Sequence, residues 1–298
     1  LMNKNILITG ASGMLGATLA KTFLKDFNVF GVGASEFNDA DFNYMQFDLA
    51  SSTYNELITW SNPDIIIHSG ALTNGNYCQE NPNLAFDING VSMQKILKAT
   101  NNEVKIIYIS TDAVFPSSLH MAKESDSVFP ENVYGKSKEL GEFFLNTSIE
   151  RDYTIIRTTI VGLNINKNKT GFIEWIINTT KDNRELGLFT DVLFTPISIW
   201  SLASEIRFLI QTNNINSETL HIGGQLCSKY EFGKNLLEEL NLSTKKLIES
   251  SILSFKNRAK RCTDQSLDSS FYQQKYKRNL PSLKETINII KENYNEKD

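Results

Sequence analysis

The chain is poor in cysteine and histidine. Only three residues of each type occur among 298, and no two histidines stand at metal-ligand spacing. An odd number of cysteines at wide spacing, Cys78, Cys227 and Cys262, matches neither a disulfide framework nor a zinc motif. We therefore expect three free thiols in a reducing compartment and no bound metal ion.

Long apolar runs and a strong excess of one charge are also missing. No stretch approaches the roughly 18 apolar residues that a membrane helix requires. The net charge is -4, and the densest basic run, residues 256–261, is short, so no general attraction to nucleic acid or anionic membrane is expected. Asn5–Thr9 already has the pattern of a strand, which argues against a signal peptide. These absences predict a cytoplasmic protein.

The chain does contain enough apolar material for a large core, because 41% of its residues are hydrophobic. Strand patterns at residues 5–9, 28–32, 64–68, 104–110 and 153–157 alternate with helical patterns at 14–25, 51–60, 83–100 and 132–146. This alternation predicts parallel strands joined by right-handed crossovers, with helices covering both faces. The predicted fold class is α/β, a Rossmann-like doubly wound parallel sheet that binds ligands at the carboxyl ends of its strands.

The pattern changes after Gly162, where a polar loop is followed by helical patterns and little strand signal. We predict a dinucleotide-binding Rossmann domain over residues 1–162, with elements near 190–224 returning to it. Residues 163–189 and 225–298 are expected to form a smaller C-terminal lobe that binds the substrate.

Three glycines, Gly10, Gly13 and Gly16, follow the first strand at regular spacing. Gly10 permits a tight turn, Gly13 lets backbone N–H groups approach a pyrophosphate, and Gly16 allows the next helix to pack closely. The positive end of that helix attracts an anion. A glycine-rich turn without a ligand is the alternative, but the strand–turn–helix context favours dinucleotide binding.

The end of the second strand bears on the choice of cofactor. Residues 32–35 contain no acid, and Glu36 lies slightly beyond the strand. An acid at the tip would favour NAD and repel a 2′-phosphate, so its absence favours NADP, while the lack of a nearby arginine or lysine leaves NAD open. Asp48 and Leu49 end the next strand-like stretch; Asp48 is expected either to contact the adenine or to hold a local turn.

Tyr134 and Lys138 stand four residues apart in a helical stretch, which places them on one helix face. A nearby ammonium lowers the pKa of a phenol, so Tyr134 is expected to exchange a proton with a substrate oxygen. Thr111 ends the fourth strand at the edge where ligands bind, and its hydroxyl can stabilise charge on that oxygen. The ordered combination predicts that Thr111, Tyr134 and Lys138 are the catalytic residues.

Residues 8–16, 63–71, 109–115, 132–138 and 156–158 resemble the extended short-chain dehydrogenase/reductase family, and within it the dTDP-4-dehydrorhamnose reductases. The resemblance implies a nicotinamide cofactor and the same three catalytic residues, with Lys138 also holding the nicotinamide ribose. The complete set of candidate cofactor residues is Gly10, Ser12, Gly13, Met14, Leu15, Gly16, Asp48, Leu49, Gly70, Ala71, Thr73, Tyr134 and Lys138. The candidate substrate residues are Asp112 and Ala113.

The sequence also departs from these reductases on the substrate side. Ala113 replaces a tyrosine, Pro116 and Ser117 replace an Asp-Gly pair, and Arg261-Cys262 stands near the place of an expected Arg-Pro. The substrate is therefore predicted only as a nucleotide sugar.

Four functions remain open at this stage. The first is an NAD(P)H-dependent reductase of a 4-keto (deoxy)sugar nucleotide, which acts in surface polysaccharide biosynthesis and is expected to form a homodimer. A 4,6-dehydratase is disfavoured, because similar dehydratases carry a glutamate where this chain has Ala113. A 4-epimerase needs only the same triad, and an epimerase–reductase needs an added pair such as Cys78 and His120. A non-catalytic subunit, like the regulatory subunit of methionine adenosyltransferase, is the fourth.

Overall fold

The structure, a computed structural model, describes residues 4–37, 41–166, 169–254 and 262–295. The basic run at residues 256–261 and the Arg261 position lie outside the described residues. The strands are β1 (Asn5–Thr9), β2 (Asn28–Gly33), β3 (Asn43–Gln46), β4 (Ile65–His68), β5 (Lys105–Thr111), β6 (Tyr153–Val161), β7 (Leu186–Phe189), β8 (Leu193–Phe194), β9 (Pro196–Ser198), β10 (Glu218–His221), β11 (Cys227–Ser228), β12 (Leu247–Ser250) and β13 (Asp264–Gln265).

The helices follow the strands along the chain. They are α1 (Met14–Phe23), α2 (Tyr54–Ser61), α3 (Gly75–Glu80), α4 (Pro82–Phe86), α5 (Ser92–Ala99), α6 (Val133–Asn146), α7 (Phe172–Lys181), α8 (Ile199–Gln211), α9 (Lys229–Glu239), α10 (Ser270–Tyr276) and α11 (Leu283–Asn295). Among the described residues, no helix combines the length and apolar character needed to cross a bilayer.

The main sheet is parallel throughout, in the order β10-β6-β5-β4-β1-β2-β3, and β9 pairs with the end of β6. Thr9 lies beside Val32 on one side and His68 on the other, and Thr111 lies beside Thr158. The carboxyl ends of these strands therefore form one continuous rim. The chain runs outward from β1 in one direction and from β4 in the other, which makes this rim a topological switch point.

Helices cover both faces of the main sheet, as predicted. Side chains alternate along β1, so Ile6 and Ile8 enter the core beneath α1 and α8, whereas Leu7 enters the core beneath α2 and α5. All three side chains are fully buried. The predicted Rossmann-like doubly wound fold is confirmed.

A third core lies in the second half of the chain. It includes Phe194, Phe232 and Ile290, and it joins β7 and β8 to α7, α9 and α11. The elements β9, α8 and β10, within residues 190–224, do not belong to this third core. The strands β9 and β10 join the main sheet, and α8 packs against α1. The short strands β12 and β13 and the helix α10 follow α9 in this half of the chain, where the sequence showed little strand signal.

The helix predicted over residues 83–100 is interrupted. A π turn, Asp87–Val91, separates α4 from α5. Gly90 lies against Leu140 of α6, where an added Cβ would stand 2.8 Å from a leucine methyl carbon. The side chain of Asn89 in this turn accepts from the Leu72 amide at 2.7 Å and donates to the Leu72 carbonyl at 3.0 Å. The interruption thus fixes the segment that follows β4 at the rim.

Candidate active site

A cleft of about 740 Å³ lies along the carboxyl ends of β1 to β6. The cleft is lined by all thirteen candidate cofactor residues and by Thr111 and Asp112. Ala113 is not among the lining residues, because its side chain is buried and its carbonyl packs against Gly135. The structure therefore brings together every candidate site residue except Ala113.

The glycine turn is as tight as the spacing predicts. Gly10 has φ +71°, and a Cβ there would lie 2.6 Å from the Cα of Gly70. A Cβ on Gly16 would lie 2.1 Å from the carbonyl oxygen of Gly10, so α1 packs directly on the turn. Gly13 differs, because among the described residues a Cβ there would meet only that same oxygen, at 3.1 Å. Two glycines are thus required by packing, and Gly13 leaves the cleft open beside the backbone.

The first turn of α1 lines the cleft through Met14, Leu15 and Gly16. The amide of Ala17 bonds to the Gly13 carbonyl, and Gly13 as N-cap offers no side-chain acceptor. The preceding amides, of Met14, Leu15 and Gly16, have no intrahelical acceptor in an α-helix. Their partial positive charge and the open space beside Gly13 fit the pyrophosphate of a dinucleotide.

The end of β2 lines the part of the cleft beyond the glycine turn. Gly33, Ala34 and Ser35 are lining residues, whereas Glu36 is exposed and is not one of them. Asp48 also lines the cleft, and its carboxylate accepts from the amide of Ala50 at 2.9 Å. Both roles considered for Asp48 are therefore compatible with its position, and no acid from the tip of β2 lines the cleft.

Thr111 ends β5 and both caps a turn and lines the cleft. Its hydroxyl accepts from the amide of Ala113 at 3.1 Å and donates to the carboxylate of Asp112 at 2.9 Å. The same hydroxyl is close enough to the phenol of Tyr134 to lower its pKa. The capping bond fixes the hydroxyl at the rim, where it adjoins the phenol that α6 supplies.

The expectation that Lys138 lowers the pKa of Tyr134 is wrong for this structure. Removal of the phenol from water raises its pKa, and the hydrogen bond with Thr111 opposes this increase only partly; Asp112 and Cys78 raise the pKa further. Tyr134 is therefore held as a neutral phenol at physiological pH. A protonated phenol can donate a proton, but the raised pKa makes it a weaker acid than free tyrosine, so its position and not its pKa suits it to this role.

Lys138 lies deeper than Tyr134, and its side chain is almost fully buried. Its ammonium stands 4.1 Å from the centroid of the Tyr108 ring. Burial lowers the pKa of Lys138 to about 7, and the charge of Glu142 opposes this decrease. The pKa of His68 falls to about 3, because His68 is buried and near Lys138, so its ring stays neutral.

A buried ion pair supports the face of α6 that carries Lys138. Arg157 of β6 donates to Glu142 through two nitrogens, at 3.0 and 2.7 Å, and both side chains are at most 6% exposed. Ser110 of β5 donates to the same carboxylate. These bonds connect α6 to the two strands beneath it, and a bidentate pair fixes orientation as well as distance.

Asp112 is a buried carboxyl at the same end of the cleft. Burial raises its pKa, although hydrogen bonds from Thr159 and Thr111 and the charge of Lys229 oppose this increase. Gln265 also lies near it, at 3.4 Å. Residues from both halves of the chain thus surround the carboxyl that the sequence marks as a substrate contact.

Cys78 and His120, the pair considered for an epimerase–reductase, have different partners. The thiol of Cys78 is buried in α3 and donates to the Leu72 carbonyl at 3.3 Å. The side chain of His120 is 58% exposed and bonds to Asp264 at 2.6 Å. The structure therefore gives no support to their acting as a pair.

Sequence reasoning missed one wall of the cleft. Asn164, Lys169, Thr170 and Gly171 line it from the loop between β6 and α7. The sequence pattern ended the fifth strand at Arg157, but β6 continues to Val161. Recognition of the longer strand would have placed the polar loop at the carboxyl end of a parallel strand, where ligand contacts are expected.

The switch-point cleft, the uncapped helix and the Thr-Tyr-Lys cluster together define an extended short-chain dehydrogenase/reductase. A family model described as the RmlD substrate binding domain matches residues 4–295. The dTDP-4-dehydrorhamnose reductase of Aggregatibacter actinomycetemcomitans is 30% identical over 242 residues, which cover 78% of each protein. The chain therefore belongs to the RmlD family, and the prediction that it is an oxidoreductase of this type is confirmed.

Two further similarities concern pathway and cofactor. The spore coat polysaccharide biosynthesis protein SpsK of Bacillus subtilis is 28% identical over 243 residues, with 80% of each protein covered. The structure of the Bacillus anthracis dTDP-4-dehydrorhamnose reductase in complex with NADP has a TM-score of 0.81 and is 25% identical, and the match covers 97% of this chain and 99% of that one.

Proposed function

We propose that this protein reduces the keto group at C4 of a nucleotide-linked deoxysugar with NADPH or NADH, in the biosynthesis of a surface polysaccharide. The observation that carries this proposal is the placement of Tyr134, Thr111 and Lys138 in one cleft with the glycine turn. A reduction needs a proton donor at the carbonyl oxygen, and the phenol of Tyr134 lines the cleft where it can serve as that donor. The absence of a lining acid at the tip of β2 supports NADP.

The dinucleotide, when bound, supplies the hydride for the keto carbon. Tyr134 donates its phenolic proton to the keto oxygen, and Thr111 positions that oxygen through its hydroxyl. Lys138, four residues along the same face of α6, also lines the cleft and would hold the nicotinamide ribose. We infer that Asp112 binds a hydroxyl of the sugar, since its carboxyl lines the same end of the cleft.

We propose that the two parts of the chain bind cofactor and substrate as the sequence predicts, and that one loop of the substrate lobe also contributes to the cofactor cleft. Residues 1–162 and the elements near 190–224 build the sheet and the cofactor cleft. Residues 163–189 and 225–298 form the lobe for the nucleotide sugar, although the loop before α7 also reaches the cofactor cleft. The homodimer, the cytoplasmic location and the lack of affinity for nucleic acid remain predictions, and sedimentation velocity would measure the oligomeric state.

The test is oxidation of NADPH or NADH by a panel of 4-keto nucleotide sugars that includes dTDP-4-dehydrorhamnose. We expect oxidation with at least one compound and an increase in melting temperature with dinucleotide alone, because ligands that bind only the native state stabilise it. A protein that gains stability from dinucleotides but oxidises none with any 4-keto sugar would contradict the proposal and favour the regulatory-subunit alternative. Interconversion of 4-epimers with no net oxidation of cofactor would favour the epimerase.

A further inference from the structure

The loop that follows β6 is held at both ends by one carboxylate. Glu174, in the first turn of α7, accepts from the backbone amide of Asn164 at 2.5 Å and from its side-chain amide at 3.1 Å. Glu174 also accepts from the amide of Gly171 at 3.0 Å. Asn164 and Gly171, at the two ends of the loop, are thus fixed to the start of α7.

Lys169 lies near the end of this loop and contacts the glycine turn. Its ammonium donates to the backbone carbonyl of Ser12 at 3.2 Å, across 157 residues of chain. Its backbone amide donates to Asn166 at 3.0 Å. Lys169 also lines the cleft. A positive charge from the second half of the chain therefore stands beside the free amides of α1.

The charged residues that line the cleft are distributed unevenly. Among the described residues of its lining, the cations are Lys138 and Lys169, and the acids are Asp48 and Asp112. Lys138 belongs to the reaction end, as does Asp112, which accepts hydrogen bonds from nearby hydroxyls. Asp48 bonds to a local amide. Lys169 is thus the cation that the described lining places at the glycine turn.

We propose that Lys169 is a ligand for the pyrophosphate of the bound dinucleotide and exchanges its bond to the Ser12 carbonyl for a bond to that anion. This inference rests on the dinucleotide binding in the proposed function. A hydrogen bond between an ammonium and a phosphate oxygen is charge-assisted at both atoms, and such bonds are about twice as strong as neutral ones. The carbonyl of Ser12 belongs to the turn itself, so the exchange requires only a small movement of a flexible side chain.

Glu174 is then a positioning residue for Lys169. Its three hydrogen bonds fix both ends of the loop, and it does not touch the glycine turn in the described contacts. Cofactor affinity would therefore depend on a segment that the sequence pattern assigns to the substrate lobe. That dependence would connect the two lobes through the cofactor.

The experiment compares Lys169→Met with Lys169→Arg and with Lys21→Met. Lys21 is an exposed lysine in the last turn of α1, so its removal changes the net charge equally but leaves the turn intact. Binding of NADPH, NADH and thymidine diphosphate to each protein is measured by calorimetry, and unliganded melting temperatures verify folding. We expect Lys169→Met to weaken both dinucleotides about tenfold, as for one hydrogen bond to a charged group.

The control variants and the salt dependence sharpen this expectation. Lys169→Arg should retain most of the affinity, and Lys21→Met should bind like the wild type. The difference between wild type and Lys169→Met should shrink at high salt, because screening weakens partly exposed charge interactions. Glu174→Gln should weaken both dinucleotides less than Lys169→Met does.

Three results would overturn the inference while leaving the proposed function intact. The first is wild-type affinity in Lys169→Met. The second is a loss confined to NADPH, which would assign Lys169 to the 2′-phosphate. The third is a loss confined to thymidine diphosphate, which would assign Lys169 to the nucleotide sugar. A wild-type protein that binds neither dinucleotide would instead refute the proposed function and this inference together. If Lys169→Met fails to fold, equal loss in a folded Lys169→Gln would serve as the supporting result.

Discussion

The two ends of the cleft are built from different chemical groups. At the glycine turn the cleft is lined mainly by backbone. Gly10 and Gly16 cannot carry a side chain there, because an added Cβ on either would collide with backbone. At the reaction end the cleft presents side chains, Thr111, Tyr134 and Lys138, whose properties depend on burial. Substitutions at one end should therefore impair cofactor binding, and those at the other should impair chemistry.

The largest expected effect is on turnover. Tyr134→Phe removes the proton donor but keeps the ring, so we expect reduction to slow by at least about 100-fold. Dinucleotide affinity should stay close to wild type, as measured by the quenching of protein fluorescence. Near-normal turnover in this variant would remove Tyr134 from the mechanism.

The second effect tests whether the glycine turn requires the close backbone packing that only glycine permits. Gly16→Ala places a Cβ 2.1 Å from the carbonyl oxygen of Gly10. The turn must shift, so we expect about 1–3 kcal/mol of destabilisation and a clear loss of dinucleotide affinity. Gly75→Ala is the matched control, because nothing lies within 4 Å of a Cβ there. Equal behaviour of the two variants would show that the turn is not constrained.

The third effect concerns the support of the reaction end. Glu142→Gln leaves the guanidinium of Arg157 buried without its carboxylate, and breaking such a pair typically costs about 3–5 kcal/mol of unfolding free energy. Asp182→Asn disrupts a pair with Arg184 whose side chains are 59% and 63% exposed, and should change stability by less than about 1 kcal/mol. Chemical denaturation measures both. Similar losses would mean that the buried pair has no special role.

The fourth effect, small within any one pH unit, is a pH dependence from Lys138. Its folded pKa is about 7, below the ordinary value of 10.5, so above pH 7 the unfolded chain binds more protons than the folded protein. This group therefore makes stability rise with pH between about 7 and 10.5, by at most about 1.4 kcal/mol per pH unit. The difference in unfolding free energy between wild type and Lys138→Met should show that slope. A flat difference would mean that Lys138 is not desolvated.

The comparison of the two ends also explains what the sequence could predict. The glycine turn is encoded locally, since Gly10, Gly13 and Gly16 lie within seven residues, and its geometry followed from spacing alone. The rule that parallel strands end at a common edge predicted that Thr111 lies at the same rim as the glycine turn, and the spacing of Tyr134 to Lys138 on one helix added the phenol. Both predictions used short-range patterns and one topological rule.

The remaining features depend on contacts that no local pattern records. The pKa of Tyr134 rises because surrounding groups exclude water, which spacing to Lys138 cannot reveal. Lys169 reaches Ser12 across more than half of the chain, and the strand before its loop is longer than the apolar run suggests. Nothing in the local sequence distinguishes Glu142 from other helix residues; its role depends on Arg157, which β6 places against it.

The central claim, that one cleft brings a hydride donor to C4 of the sugar and the Tyr134 proton to the oxygen on that carbon, has a direct test. The protein is incubated with NADPH deuterated on the transferable face of the nicotinamide and with the 4-keto nucleotide sugar that it turns over, and the sugar is analysed by NMR. The account predicts deuterium on C4 of the sugar, with one NADP formed for each sugar reduced. Deuterium that stays on the cofactor while the sugar is consumed, or label at another carbon, would contradict it.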